Sequence, residues 1–418
     1  MATTCRTMGL AACLGLLAVY SWLAARSFQA TRLASSLDVN ALGRAVELEP
    51  RNAAYQDLLC RFLLFDKQEA GAALPRCQRA TDLNPYNSTY WLDLALAYYS
   101  TGAEYQQQQA ILRAVSVDPT TPDVAWNAAN FFLAQGKVAE ALHQFAVVMR
   151  SDPSLVRPSL DLCWRTLHDV NAIEAILPPD PYAYLQFIRV LIANDQWEGA
   201  HQVWSALLRL NEEIDYRQGL VYVDSLLQQR DIAGAEKAWD QLAAHSATLS
   251  HYGRMDRLVV DGGFEEEILN AGFDWRYSAQ PGSTVSVDNT EFHSGRRSLL
   301  ISYNGAGGNA GISQYVVVKP NTEYTISAWT RSQELDSANG PAISVRDAYD
   351  GKSFAMTQET LGTAAWHRVE SSFQTGPETT LVMLCVARDP ADTHIKGRFW
   401  VDDVGLQPDS LLLPPHTD

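Results

Sequence analysis

Residues Trp91–Pro119 read WLDLALAYYSTGAEYQQQQAILRAVSVDP, and this stretch contains two helical patterns and the connection between them. In each half, apolar residues recur about every 3.6 positions, which is typical of an amphipathic helix. A turn that contains Gly102 separates the halves, and the stretch ends at a proline, which cannot continue a helix. The stretch therefore predicts a helical hairpin.

The same ending recurs along the first half of the chain. The phrases AVELEP, ATDLNP, AVSVDP and VVMRSDP end at Pro50, Pro85, Pro119 and Pro153, which are 35, 34 and 34 residues apart. A fixed period of this length predicts a solenoid of stacked helical hairpins. The pattern then shortens and resumes, so we expect about six hairpins between residues 33 and 245.

This pattern resembles the tetratricopeptide repeat. Large first-helix positions are filled by Trp91, Leu94 and Tyr98. Ala114 fills the small second-helix position, and Pro119 closes the repeat. Small residues let two helices approach, and large ones fill the gap to the neighbouring hairpin.

Tetratricopeptide proteins bind partners along a concave groove that is built from first helices. The resemblance therefore implies a groove that is aromatic, nearly uncharged and suited to apolar or extended peptide segments. By register its residues are Tyr55, Phe62, Leu92, Tyr99, Trp126 and Asn130. The alternative is that some of these side chains only fill contacts between hairpins.

After Val259 the helical pattern stops, and short runs of alternating apolar residues begin. Eight such runs are bounded by Gly, Pro, Asn or Asp, from STVSV at 283–287 to GRFWVDDVGL at 397–406. This spacing is typical of a β-sandwich or jelly roll. We expect a multidomain chain, with an all-α tetratricopeptide solenoid followed by an all-β jelly roll at 259–408 and a tail at 409–418.

Five phrases of this half resemble the jelly-roll carbohydrate-binding modules that bind xylan and β-glucan: GGFEEE, HSGRRSLLI, VKPNTEYTISAWTR, AWHRVESSFQTG and FWVDDVGL. The resemblance implies aromatic side chains that stack on sugar rings, and the candidates are Trp275, Tyr277, Tyr303, Tyr349 and Phe354. Trp329 and Trp366 lie inside strands, so we expect them in the core. Many relatives use the domain only structurally, so glycan binding is one of two alternatives.

Two adjacent carboxylates, Asp402 and Asp403, stand between apolar residues of the last run. A buried carboxylate without a partner is costly. In the modules that this half resembles, a structural calcium ion ties the first strand to the last. The resemblance therefore implies calcium bound by Glu265, Asp402 and Asp403, with backbone oxygens near residues 293–297.

Strand alternation sends neighbouring side chains to opposite faces. We therefore expect only one of the two aspartates, Asp402, to be a direct calcium ligand. The alternative is that Asp402 accepts hydrogen bonds or pairs with an arginine.

Residues 7–25 contain no charged side chain and are flanked by Arg6 and Arg26. As a helix they would span about 28 Å, close to the hydrocarbon thickness of a bilayer. The only small-residue cleavage pattern has Arg26 in its middle, which favours an uncleaved transmembrane anchor over a secretory signal. We expect a single-pass cell-membrane protein whose other domains are extracytoplasmic.

Cys60 and Cys77 occupy facing positions of one hairpin in the repeat register. They are either two small buried side chains or a disulfide, which requires an oxidising compartment.

Charge and motifs narrow the function. The net charge of −16 argues against general nucleic-acid binding. We find no HExxH, GxSxG or P-loop motif and no clustered cysteine and histidine set, so we predict no catalytic residue and no enzyme.

The expected function is a membrane-anchored adaptor of the bacterial cell envelope. Its solenoid would bind a protein partner, and its jelly roll would bind a cell-envelope or extracellular polysaccharide, such as an exopolysaccharide. One alternative is an envelope assembly scaffold with a structural jelly roll. Another is a carbohydrate-active enzyme whose carboxylates form no recognisable motif.

Overall fold

The structure of the chain, a computed structural model, describes residues 2–36, 38–252 and 258–409, and the side chains of residues 2–12 lie outside this description. The chain divides into two compact units, Met1–Pro179 and Asp180–Asp418. This division differs from the predicted one, because the last two helical hairpins belong to the same unit as the sandwich. Of the predicted tail, residues 410–418 lie outside the described part.

The first unit is helical, and successive helices pack as hairpins. Its described helices are α1 (Ala2–Ala34), α2 (Val39–Leu48), α3 (Ala53–Phe65), α4 (Ala70–Leu83), α5 (Ser88–Ser100), α6 (Glu104–Val117), α7 (Pro122–Ala134), α8 (Val138–Ser151), α9 (Val156–Leu167) and α10 (Val170–Glu174). The pairing of α9 with the five-residue α10 corresponds to the shortened part of the sequence pattern.

The repeated proline phrases explain where helices stop and start. Two residues after Pro50 and Pro85, Asn52 and Asn87 cap α3 and α5 by accepting a backbone N–H of the first turn. The repeat residues then pack as the resemblance requires. Ala114 is fully buried, and the indole N–H of Trp91 donates to the Pro85 carbonyl at 2.9 Å.

A disulfide joins Cys60 on α3 to Cys77 on α4, with Cα atoms 5.3 Å apart. Both residues are fully buried in the hydrophobic core of the first unit. Of the two alternatives for these residues, the structure therefore shows the disulfide.

Helix α1 continues well past the predicted anchor at 7–25, through Arg26 and Arg32. Its second half packs into the unit, since Ala30 is fully buried and Arg26 donates to the Leu48 carbonyl. Within the described residues, none of the helices combines the length and the apolar character that crossing a bilayer needs. The transmembrane prediction is therefore unsupported, and the side chains of its residues 7–12 lie outside the description.

The second unit begins with four helices: α11 (Pro181–Ala193), α12 (Trp197–Arg209), α13 (Tyr216–Gln228) and α14 (Ile232–Ala244). Ten described strands follow: β1 (Arg276–Tyr277), β2 (Ser283–Asp288), β3 (Ser298–Asn304), β4 (Ile312–Val317), β5 (Glu323–Ser337), β6 (Ala342–Asp347), β7 (Ser353–Met356), β8 (Gly362–Gln374), β9 (Leu381–Ala387) and β10 (Ile395–Pro408).

The strands form two antiparallel five-stranded sheets. Sheet A has the order β1-β4-β9-β6-β7, and sheet B has the order β2-β3-β10-β5-β8. The predicted sandwich is therefore present, and all eight predicted runs are strands. The two strands that the sequence did not show, β1 and β7, have only two and four residues, which is too short for a clear alternation.

The buried core of the sandwich lies between the sheets, with inward side chains from both. From β4 it contains Ile312 and Val316, and from β10 Phe399 and Val401. Because neighbouring strand residues point to opposite faces, Ser313 and the other intervening residues of sheet A point away from this core.

We expect removal of the disulfide to destabilise the first unit. Its cysteines are 17 residues apart, so the loop-closure entropy of the unfolded chain predicts a loss of about 3 kcal/mol for the variant Cys60→Ser/Cys77→Ser. Denaturant unfolding without reductant measures this loss. In reductant the variant and the parent protein should have the same free energy of unfolding. A free-thiol count unchanged by reduction would contradict the disulfide.

Candidate functional site

Helix α13 and the outer face of sheet A enclose a cavity of about 240 Å³. Its walls come from α13, from β1, β4 and β9, and from the turn after β6. The lining residues are Asp224, Leu227, Gln228, Arg276, Tyr315, Ala348, Tyr349 and Leu381. Two tyrosine rings and an acidic, a basic and an amide side chain thus meet in one concave site.

The Asp224 carboxylate organises one side of this cavity. Its Oδ1 atom accepts the backbone N–H of Gly272 at 2.8 Å and a guanidinium N–H of Arg276. The same Arg276 nitrogen donates to the Gly272 carbonyl at 2.8 Å, and the guanidinium lies 5.0 Å from the centre of the Tyr315 ring. The arginine is therefore held over the tyrosine face by a charged pair and a cation–π contact.

Tyr349 forms the opposite side of the cavity. Its hydroxyl donates to the Leu227 carbonyl at 2.8 Å, and Arg230 lies 4.5 Å from the centre of its ring. Burial raises the pKa of Tyr349, and the neighbouring Arg230 acts against this. The phenol is thus neutral at physiological pH and holds α13 to the turn as a hydrogen-bond donor.

Two of the predicted sugar-stacking residues are buried. Trp275 and Tyr303 are only 1% and 5% exposed and belong to the core between the sheets. A ring enclosed on both faces cannot stack on a sugar, so these two predictions are wrong. Tyr277 and Phe354 are half-buried and pack against the same core, while Tyr349 lines the cavity.

Trp329 and Trp366 show the opposite error. Both are half-buried and lie outside the core between the sheets, where we expected them. The His293 ring stacks on Trp329 with centroids 3.7 Å apart and meets Trp366 edge-on at 6.0 Å. These rings cover the loop that follows β2.

Residues 291–297 of that loop donate hydrogen bonds to the carboxylates of the predicted calcium site. Asp402 is fully buried. Its Oδ2 accepts the backbone N–H groups of His293 and Ser294 at 2.8 and 3.0 Å, and its Oδ1 accepts the N–H of Asp403 at 2.7 Å. Burial raises the pKa of Asp402, while the three N–H donors act against this rise. These donors are what allow the carboxylate to be buried.

Asp403 reaches the same loop, although strand alternation predicted the opposite face. The ladder between β10 and β5 shifts between Asp402 and Gly405, and Asp403 has a φ of 49°. This bulge turns its side chain so that Oδ2 lies 2.7 Å from His293 Nδ1 and Oδ1 accepts the Ser294 hydroxyl at 2.8 Å. The expectation that the two aspartates point apart is therefore wrong.

Glu265 completes this group from the start of the sandwich. Its Oε1 accepts the backbone N–H of Arg296 at 2.6 Å and that of Arg297 at 3.2 Å, and its Oε2 lies 3.7 Å from Arg296 Nε. The structure thus brings all three predicted calcium ligands to one loop.

The arrangement does not fit calcium as it stands, because N–H and O–H donors already contact the carboxylate oxygens of the three residues. Over the described ranges, no three His, Cys, Asp or Glu side chains are grouped to hold a metal ion. Calcium binding by this loop stays a prediction that the resemblance makes and these contacts do not support.

We expect Asp402→Ala to destabilise the sandwich by about 3 kcal/mol, because it leaves three backbone N–H groups without their acceptor. Calorimetric unfolding of the full chain measures this change. Asp336→Ala is the matched control, since that side chain is 85% exposed in the same sandwich, and it should change stability by less than about 0.5 kcal/mol. Equal losses in both variants would contradict the role of Asp402.

The same contacts predict that the melting temperature of the sandwich is equal in calcium and in chelator. Binding of an ion to the folded state alone would raise it. A rise in calcium that chelator reverses, and that Asp402→Ala abolishes, would instead support the calcium site.

The predicted groove residues lie on the first helices α3, α5 and α7 of the first unit. Tyr99 is 68% exposed, whereas Tyr55, Phe62 and Leu92 are half-buried against the helical core. The remaining two interact with their own repeat: Trp126 packs edge-on against Phe145, and Asn130 donates to the Trp126 carbonyl. Several of these residues therefore fill contacts between helices, as the alternative stated.

The same helices carry a buried carboxyl pair that no sequence pattern marks, Asp57 on α3 and Asp93 on α5. These residues are only 6% and 9% exposed. Burial raises the pKa of Asp57, and the nearby Asp93 raises it further; burial also raises the pKa of Asp93, which Arg61 partly offsets. Two buried carboxyls this close are more stable when they share one proton than when both are ionised.

This pair predicts a pH dependence of stability for the first unit. The folded pKa of Asp57 is above its unfolded value of about 3.9, so the contribution is fully present below pH 4 and is lost as pH rises through the folded pKa. Asp57→Asn is neutral at every pH, so its unfolding midpoint should fall less between pH 5 and pH 8 than that of the parent protein.

The control is Asp82→Asn, which removes an exposed carboxylate of the same unit. Its unfolding midpoint should change between pH 5 and pH 8 as much as that of the parent protein. Identical slopes for the parent and Asp57→Asn would contradict the raised pKa.

Comparisons with known proteins find similarities to both halves of the chain. Residues 256–393 match the model of a family described as carbohydrate binding domain. A solved structure titled "CBM4 structure and function" is 17% identical, with 36% of this chain and 99% of that chain covered and a TM-score of 0.28. The CBM22-1 xylan-binding domain of Paenibacillus barcinonensis Xyn10C is 19% identical, with 35% and 91% covered and a TM-score of 0.26.

PilF of Pseudomonas aeruginosa is 14% identical, with 46% of this chain and 90% of that chain covered and a TM-score of 0.28. None of the curated proteins matches the chain. Residues 256–393 are thus similar to a carbohydrate binding domain.

Proposed function

We propose that this protein is a non-catalytic adaptor that binds carbohydrate through its sandwich and a protein partner through its helical repeats. The observation that carries the carbohydrate half is the cavity on sheet A, where five of the eight lining residues lie in the stretch 256–393 that matches the carbohydrate binding domain family. Tyrosine rings can stack on the apolar face of a sugar, and Asp224, Arg276 and Gln228 offer acceptors and donors for its hydroxyls.

The protein-binding half is supported by the resemblance to tetratricopeptide proteins and by the exposed aromatic surface of the first unit. Tyr99 on α5 and Tyr86 just before it are 68% and 82% exposed. Large exposed aromatic side chains are enriched where proteins bind one another. An extended apolar peptide segment is the partner chemistry that suits this surface.

The Cys60–Cys77 disulfide supports an oxidising, extracytoplasmic location for this activity, since such bonds rarely persist in the cytosol. In that location a cell-envelope or extracellular polysaccharide is the carbohydrate that we propose.

A scaffold whose sandwich is structural is the second candidate, and one observation favours it. The sandwich packs closely on the last hairpin: the buried Trp239 of α14 meets Phe273 edge-on at 5.8 Å, and Arg276 pairs with Asp224 of α13. Helical repeats need a cap at their ends, because the last hairpin otherwise exposes an apolar face. A cap of this kind requires no sugar.

We expect the full chain to bind at least one polysaccharide on an array of plant and bacterial glycans. Tyr315→Ala should weaken this binding at least tenfold, because it removes a ring from the cavity. Phe292→Ala removes a 40% exposed ring of the same sandwich that does not line the cavity, so it should leave binding unchanged. An array without any bound glycan would favour the structural cap.

A further inference from the structure

Residues 224–230 of the second unit lie beside sheet A, opposite β1, β4, β9 and the turn after β6. At one edge of the sheet, Asp224 pairs with Arg276 of β1. At the other side, Leu227 and Arg230 contact Tyr349, in the turn between β6 and β7. Since the sheet order is β1-β4-β9-β6-β7, this segment forms a wall that passes in front of the intervening β4 and β9.

The wall is a permanent part of the fold, because it belongs to a tightly packed seam. Gly272 has a φ of 59°, and a Cβ atom there would lie 2.2 Å from Cζ3 of Trp239 on α14. Trp239 is itself fully buried against Phe273. No side chain fits between α14 and this glycine, so the hairpin and the sandwich cannot separate without breaking a buried core.

The cavity behind the wall is small and has unused hydrogen-bonding capacity. Its volume of about 240 Å³ lies below the ~300–1,000 Å³ of sites for drug-sized ligands, which suits a ligand the size of a single sugar ring. The Nε atom of Arg276 is buried without a hydrogen-bond partner among the described residues. A buried N–H of this kind is stabilised when a ligand hydroxyl or ring oxygen accepts from it.

We propose that this site recognises the end of a glycan chain rather than its interior. A polymer that binds through its interior needs free space on both sides of its bound sugar, and the wall formed by residues 224–230 stands on one side of the cavity. A terminal sugar enters the cavity, stacks against Tyr315 and Tyr349, and places its hydroxyls against Arg276 and Asp224. This inference rests on the proposed carbohydrate binding and specifies the form of the ligand.

The test compares chain lengths. Titration of the full chain uses β-1,4-xylo-oligosaccharides of two, four and six sugars and polymeric xylan, or the equivalent fragments of the polymer that binds best on the array. End recognition gives one protein per chain, with dissociation constants that agree within about twofold across all lengths. Recognition of the interior gives affinity that rises with length and several proteins per polymer.

Two neighbouring substitutions test whether the glycan binds in the cavity. Gln228→Trp puts an indole into the cavity from its α13 wall, at an exposed position that the fold tolerates, and should weaken binding at least tenfold. Gln229→Trp adds the same side chain at the next exposed position, outside the lining, and should change binding by less than twofold.

The outcomes separate the two proposals. Glycan binding with length-dependent affinity, or with Gln228→Trp as active as Gln229→Trp, overturns end recognition and leaves the proposed carbohydrate binding intact. Absence of binding by the parent protein to every glycan overturns both.

Discussion

The Asp224 carboxylate is the contact on which the architecture of the second unit depends. It accepts the Gly272 N–H and pairs with Arg276, and so it joins the last helical hairpin to the first strand of the sandwich. Both side chains are about three-quarters buried, where a charge-assisted hydrogen bond is stronger than in water and an unpaired charge would be costly. Together with the hydrogen bond from Tyr349 to the Leu227 carbonyl, this pair holds α13 beside sheet A, where the cavity lies.

A second group of carboxylates closes the sandwich itself. Glu265 precedes the first strand, and Asp402 and Asp403 lie in the last, yet all three accept hydrogen bonds from the loop at 291–297. The two ends of the domain are thereby tied together through one loop. Backbone N–H groups stabilise these carboxylates, since a carboxylate surrounded by several donors is stable when buried.

Most of the secondary structure could be predicted, and the residues of the candidate site mostly could not. Repeat prolines and alternating strands are local patterns, so the helices and the eight longer strands were visible in the sequence. Trp275 and Trp329 both stand in aromatic-rich phrases, but only the tertiary packing places Trp275 in the core and Trp329 outside it. Tyr315 gave no signal at all, because nothing near it in the sequence marks the helix that faces it.

By itself, the sequence determined the two fold classes, their order and the cysteines that can cross-link α3 to α4, since each depends on residues close together in the chain. Only the tertiary structure decided that the last two hairpins belong with the sandwich, that Asp402 and Asp403 share one loop, and that Asp57 lies against Asp93. These are contacts between distant segments. A local bulge sets the second of them, and the close approach of Gly272 to Trp239 belongs to the first. Side-chain periodicity carries no information about such contacts, because it reports which face of an element is apolar and not which element covers that face.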